Sequence, residues 1–119
     1  MSDWYSRTVF FVKDAGKSIE FYRDKLSCTV AWEYREGDRV VVCQVGRPGF
    51  EVILAAQDEA KSGHGRVFIE INRAQEVALR KEIEDKSVAA TDAYWGMPVI
   101  LMEDPDGNQV MFSPPSKGQ

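Results

Sequence analysis

Positions 7–12, which end in the apolar run Val9-Phe10-Phe11-Val12, sort by parity onto two sides of a strand. Thr8, Phe10 and Val12 fall on one side, and Arg7, Val9 and Phe11 on the other, which is the period-two pattern of a β-strand. The spacing then becomes helical: Ile19, Tyr22 and Leu26 share one stripe of residues 15–26, with Asp14 placed to cap the start. Residues 29–35 and 39–45 read as strands joined by the tight turn Glu36-Gly37-Asp38. The second of these is apolar on both faces and is expected in the interior of a sheet. After Gly46-Arg47-Pro48-Gly49, residues 50–55 form another strand. The order of elements is βαβββ.

A polar segment over 57–65 breaks the pattern, which then restarts. Residues 66–71 read as a strand. Asn72 and Gln75 have capping-box spacing, and residues 73 to about 85 are good helix formers with Val77, Leu79 and Ile83 as an apolar stripe. A short strand is expected from 87 to about 91, then a loop over 93–97. A closing hairpin runs from Pro98-Val99-Ile100-Leu101-Met102 through Pro105-Asp106-Gly107 into Val110-Met111-Phe112. Proline, aspartate and glycine at those places are turn chemistry. The second half thus repeats the order of the first, the informative level for an internal repeat. The expected fold is α+β: two tandem βαβββ modules forming a curved mixed sheet around a cavity, helices outside. The single domain covers 1–119, with module one at about 5–56, a linker at about 57–65 and module two at about 66–115.

A formal charge of −4 and a pI near 5.0 leave no basic stripe and argue against a nucleic-acid partner. No apolar run approaches the roughly 18 residues of a membrane span, so no membrane partner is expected. Met1-Ser2-Asp3-Trp4-Tyr5 lacks a basic and then apolar leader pattern. Cys28 and Cys43 lack metal or redox spacing and read as reduced core residues. The expected location is cytoplasmic. His64 is the single histidine, which limits the chemistry. Beside two glycines it reads as a solvated loop residue.

Two segments carry a resemblance. "VFFVKDAGKSIEFYRDKLS" resembles the opening strand and helix of the vicinal oxygen chelate superfamily, with Ser27 where that family has glycine, and "YWGMPVILMEDPDGNQVMF" resembles its closing segment. The superfamily includes glyoxalase I, extradiol dioxygenases, fosfomycin-resistance enzymes and bleomycin-resistance proteins. Its metal-dependent members take His, Glu or Gln ligands from four strand positions, which the resemblance carries onto Arg7, Glu51, Arg66 and Met111. Of these, only Glu51 suits a divalent ion, because a guanidinium keeps its proton and has no lone pair to donate. The resemblance therefore implies no metal, no cofactor and no catalytic residue, and is nearest in character to the metal-free bleomycin-resistance proteins.

By alternation, Arg7, Val9, Phe11, Glu51, Ile53, Arg66, Phe68, Glu70, Gln109 and Met111 share the cavity face. Trp95, Tyr94, Trp32 and Tyr34 offer flat faces to an aromatic guest, although parity leaves the side taken by Trp32 and Tyr34 open. The expected ligand-binding set is Arg7, Phe11, Glu51, Arg66, Phe68, Trp95 and Met111. Glu51 is expected to bond to Arg7, Arg66 or both, in a dry site where its loss costs a few kcal/mol. The leading function expected is metal-free binding of a small molecule, an aromatic or polar antibiotic or metabolite. The alternatives are a divalent-metal lyase, isomerase or dioxygenase with atypical ligands, and a structural or regulatory domain whose cavity is filled by its own side chains. A homodimer is expected, since the aromatic residues suit an apolar interface.

Overall fold

The computed structural model describes residues 4–115. Met1-Ser2-Asp3 of the segment read for a leader, and positions 116–119 of the expected domain, lie outside the described residues. The chain runs β1 (Thr8–Phe11), α1 (Ala15–Leu26), β2 (Thr29–Glu36), β3 (Arg39–Arg47), β4 (Phe50–Ala55), a 3-10 turn at Glu59–Lys61, β5 (Arg66–Glu70), α2 (Arg73–Asp85), β6 (Ala90–Tyr94), β7 (Pro98–Glu103) and β8 (Gln109–Ser113). Two four-stranded mixed sheets result, ordered β1-β4-β3-β2 and β5-β8-β7-β6. In each, the first strand is parallel to the fourth and the remaining pairs are antiparallel. The two βαβββ units are thus topological copies. The α+β fold of two tandem βαβββ modules is as expected from the sequence, and each module forms its own four-stranded mixed sheet, with no ladder between β1 and β5 among the described residues.

Both helices begin where capping chemistry places them. The Asp14 side chain accepts from Lys17 N at 3.1 Å, and Asn72 and Gln75 form a reciprocal capping box. The α1 stripe is buried as expected, with Tyr22 and Leu26 packed under Phe10, Val12, Val52 and Leu54. Each large apolar side chain withdrawn from water contributes roughly 1.5–3 kcal/mol. In α2, Leu79 is buried and Ile83 packs against the core, but Val77 is 65 % exposed. Val77 is two positions from Leu79, so its side chain leaves the helix on a different side. No helix is long and apolar enough to cross a membrane.

The strand expected at 87–91 lies instead at Ala90–Tyr94, so that it overlaps the expected strand at Ala90 and Thr91 and takes in Ala93 and Tyr94, which read as loop. Ser87 takes a left-handed φ of 53° after α2, which delays the strand. Antiparallel pairing with β7, from Ala90↔Met102 to Tyr94↔Pro98, then carries it through Tyr94. That pairing is a tertiary event that periodicity in an exposed segment does not reveal.

The units meet along the facing edges of β1 and β5. Phe11 O accepts from Gly63 N at 3.3 Å and from Asn108 Nδ2 at 3.1 Å. Asn108 Oδ1 in turn accepts from Gly65 N at 2.8 Å. Gly65 sits so close to the Phe10 ring and to Asn108 that a Cβ would collide with both. The second tie lies at the helix ends. Arg47 forks onto Glu82 of α2 with both nitrogens at 2.9 Å, and its Nη1 also donates to Leu26 O of α1 at 2.9 Å.

Candidate functional site

One face of the sheets carries the helices and the core. The other is open, and it holds the residues that alternation placed together. On β1 and β4, Arg7 and Val9 are exposed and Phe11, Glu51 and Ile53 are half-buried, whereas Phe10, Val52 and Leu54 between them are buried. On β5, Arg66, Phe68 and Glu70 are exposed, and Val67 and Ile69 turn toward the core. Register adds the neighbours: Arg66 opposes Gln109, Phe68 opposes Met111, and Met111 opposes Leu101.

Trp32 belongs to this face. It lies in register with Gln44, and its indole Nε1 donates to Gln44 Oε1 at 3.0 Å. Gln44 Nε2 donates onward to Glu51 Oε2 at 2.6 Å. Arg7 Nε stands 3.9 Å from that same oxygen. The row Trp32–Gln44–Glu51–Arg7 thus crosses β2, β3, β4 and the lead into β1. Gln44 is 5 % exposed, and both ends of its amide are used, which fixes its orientation. Gly46 opposes Glu51, and a Cβ there would meet Phe50 O at 2.7 Å and Glu51 Cγ at 3.0 Å. Glycine therefore lets the Glu51 stem lie against β3.

Sequence reasoning missed Gln44. It lies in register with Ile53, a residue that alternation did place on the face. The parity of β3 was thus recoverable, but β3 was read as apolar on both sides. The expected contact of Glu51 with Arg66 does not form, and the contact with Arg7 is long. The expected dry site is also corrected: the side chains of Arg7 and Glu51 are 42 % and 36 % exposed. Water therefore screens the pair, and it contributes at most about 1 kcal/mol.

The remaining expected site residues lie as follows. Arg7 also covers the Tyr5 ring, 4.9 Å from its centroid. Phe11 is covered by the Lys61 ammonium at 5.3 Å. Met111 is only 8 % exposed and acts mainly as packing beneath Phe68. Phe68 and Trp95 contact each other with ring centroids 5.9 Å apart and a 45° tilt, yet are 42 % and 57 % exposed. The Arg66 residue is exposed, and its side chain makes no hydrogen bond or ion pair among the described residues. His64 is exposed. Between the edges of β1 and β5 lies a cleft of about 260 Å³, lined by Ser6, Thr8, Glu51, Phe68 and Glu70 among others. Glu51 and Phe68 thus line the cleft at the junction of the units, with Arg7 beside Glu51 and Trp95 reaching β5 through Phe68, whereas Arg66 is not part of its lining.

The donor chemistry does not fit a divalent ion. Of the four positions that correspond to metal ligands, Glu51 has one oxygen engaged by Gln44, Arg7 and Arg66 bring positive charge, and Met111 brings a soft thioether. Among the described residues no group of three His, Cys, Asp or Glu side chains could hold a metal ion. The thiols also stand apart from any site chemistry. Cys28 and Cys43 are buried and free, and burial pushes each thiol up to about 11.

Comparison with known proteins places this geometry in a family. The model of the Glyoxalase/Bleomycin resistance protein/Dioxygenase superfamily matches residues 4–112. No curated protein sequence is significantly similar. Among solved structures, an antibiotic binding protein from Streptomyces sp. CB03234 is 18 % identical, with 98 % of this chain and 100 % of that one covered and a TM-score of 0.67. A lactoylglutathione lyase from Agrobacterium tumefaciens is 14 % identical, covering 95 % and 94 %, with a TM-score of 0.70. A glyoxalase/bleomycin resistance protein from Catenulispora acidiphila is 16 % identical, covering 95 % and 99 %, with a TM-score of 0.74. At these identities the structural likeness establishes the fold alone.

Proposed function

The chain belongs to the Glyoxalase/Bleomycin resistance protein/Dioxygenase superfamily, and on that premise we propose that it is a metal-free small-molecule binding protein. Its ligand is an aromatic or polar antibiotic or metabolite, held on the open face without chemical change. The observation that carries this reading is the fate of Glu51. It is the one metal-competent side chain among Arg7, Glu51, Arg66 and Met111, and it is bonded to Gln44 beside a guanidinium. A carboxylate held in this way, with the Arg7 guanidinium nearby, suits recognition of polar groups rather than Lewis-acid chemistry. Exposed Trp32, Phe68 and Trp95 supply apolar, flat area on the same face. The antibiotic binding protein from Streptomyces, similar over nearly the whole chain, agrees with this choice; the lactoylglutathione lyase from Agrobacterium stands for the alternative of an enzyme.

The reading includes a homodimer in which a second copy covers part of the exposed aromatic face, and a cytoplasmic location, where the free thiols Cys28 and Cys43 stay reduced. The test is thermal unfolding of the full chain against planar antibiotics and aromatic acids, amines and neutral amides. Binding selective for the native state at about 100 times Kd stabilises by roughly 2.7 kcal/mol, a shift of several degrees for a domain of this size. A panel without any shift opposes the reading. Turnover of a glyoxalase or dioxygenase substrate after metal addition replaces it with the enzyme.

A further inference from the structure

The two arginines of the open face differ in state. Arg7 faces Glu51 at 3.9 Å and stacks over Tyr5 at 4.9 Å. Arg66 does neither: it is exposed, its guanidinium makes no hydrogen bond or ion pair among the described residues, and it opposes the neutral amide of Gln109 on β8. Two positions along the same face of β5 stands Phe68, in contact with Trp95 and still 42 % exposed. Residues i and i+2 of a strand are about 7 Å apart. A fork of unused donors is therefore carried on the same face of β5 as an exposed aromatic pair, about 7 Å along the backbone.

Resting on the small-molecule reading above, we propose that the ligand is a planar aromatic acid. Its ring packs on Phe68 and Trp95, and its carboxylate is held by the Arg66 guanidinium. The planar fork matches a carboxylate with two parallel N–H···O bonds, a geometry that an amide or an amine does not reproduce. Charge decides between ligand classes. On module one the corresponding arginine has a carboxylate beside it, whereas on β5 the positive charge is left for the ligand. Glu70, the acid on the same face of β5, is two further positions away beyond Phe68 and pairs with no cation among the described residues. Arg66 is then the residue that sets specificity for acids, and Phe68 with Trp95 supplies affinity indifferent to charge.

Calorimetric titration of the full chain with 2-naphthoate and 2-naphthamide tests this in wild type, Arg66→Gln and Arg66→Lys. Because Arg66 is exposed and unbonded, both variants are expected to keep the wild-type melting temperature. The acid should bind at least about tenfold more tightly than the amide, as a charge-assisted pair allows. Arg66→Gln should abolish that preference while leaving amide affinity unchanged, and Arg66→Lys should keep part of it. Raising the salt concentration should erode the preference and spare the amide. Equal binding of acid and amide, or a preference that persists in Arg66→Gln, overturns the proposal. Failure of both naphthalenes to bind also overturns it. The small-molecule reading falls only if the wider panel of planar compounds gives no shift either.

Discussion

The Tyr22 hydroxyl donates to Asp104 Oδ2 at 3.0 Å, joining residues 82 positions apart. Asp104 is 5 % exposed and also accepts from the backbone N–H groups of Asp106 and Asn108 and from Asn108 Nδ2, each at 2.9 Å. The two segments that carry the family resemblance, one on α1 and one in the closing turn, therefore meet in one buried network. Asn108 extends that network to Phe11 O and Gly65 N at the junction of the units.

Tyr22→Phe should destabilise the protein by about 1–3 kcal/mol, since a buried carboxylate loses one of its donors. Guanidinium unfolding at neutral pH measures this, and an unchanged midpoint would show the bond to be dispensable. Burial and the Asp104 charge also raise the Tyr22 pKa well above its ordinary 10.0. The folded state then keeps a proton that the unfolded chain releases, so stability falls as pH rises above about 10. Buried Cys28 and Cys43, ordinarily at 9.0 and raised to about 11, begin the same loss from pH 9. Tyr22→Phe should remove only the upper part of this alkaline slope.

The fork of Arg47 on Glu82 holds the ends of both helices to the β3–β4 turn, and that arginine holds the Glu82 carboxyl below its ordinary 4.5. The folded state therefore stays ionised where the unfolded chain takes up a proton. The stabilisation is present above about pH 4.5 and is lost as pH falls through the lower folded value. Both side chains are partly exposed, so Glu82→Gln should cost only about 1 kcal/mol at pH 7 and flatten the acid limb of a stability–pH profile. A parallel offset at every pH would contradict the ionic origin.

Glu51→Ala should lower stability by about 1 kcal/mol, because the exposed and distant Arg7 pair contributes little and the main loss is the single bond from Gln44. Gln44→Leu should cost more, roughly 1–3 kcal/mol, since it removes the bonds of both Trp32 and Glu51 from a buried position. Comparing the two unfolding midpoints checks the order, and the reverse order would mean that Glu51 is drier than its exposure indicates.

Zinc, nickel, manganese or iron added to the protein should be lost on extensive dialysis. A binding site for such an ion needs about three donors, and Arg7, Glu51, Arg66 and Met111 supply one. Elemental analysis reads the result directly. Stoichiometric retention that disappears in Glu51→Ala would restore the metal-dependent enzyme.

Light scattering at micromolar concentration should give about twice the chain mass of 13.5 kDa. The exposed aromatics Trp32, Tyr34, Phe68, Tyr94 and Trp95 are a large apolar area for a small chain to leave in water. A monomer at that concentration would leave the open face to the ligand alone.

The local elements were legible because local chemistry fixes them. Asp14, and Asn72 with Gln75, satisfy helix N–H groups within one turn, so the bounds of α1 and α2 follow from the residues themselves. Strand alternation sorted Phe10, Val52 and Leu54 from Arg7, Val9 and Ile53, because a strand has only two faces and one of them must be apolar. The repeated βαβββ order and the family segments followed from the same patterns.

The tertiary structure alone decided what depends on neighbours distant in sequence. Pairing with β7 moved β6 to Ala90–Tyr94, where exposed residues carry no burial signal. The β1 and β5 edges face each other without a ladder among the described residues, so each module keeps its own four-stranded sheet. Glu51 chose Gln44 over Arg66 because β3 lies beside β4 whereas β5 lies across the junction. Side-chain type shows that an arginine must carry its charge. Only the positions of the acids around it determine that Arg7 has a carboxylate beside it and Arg66 does not.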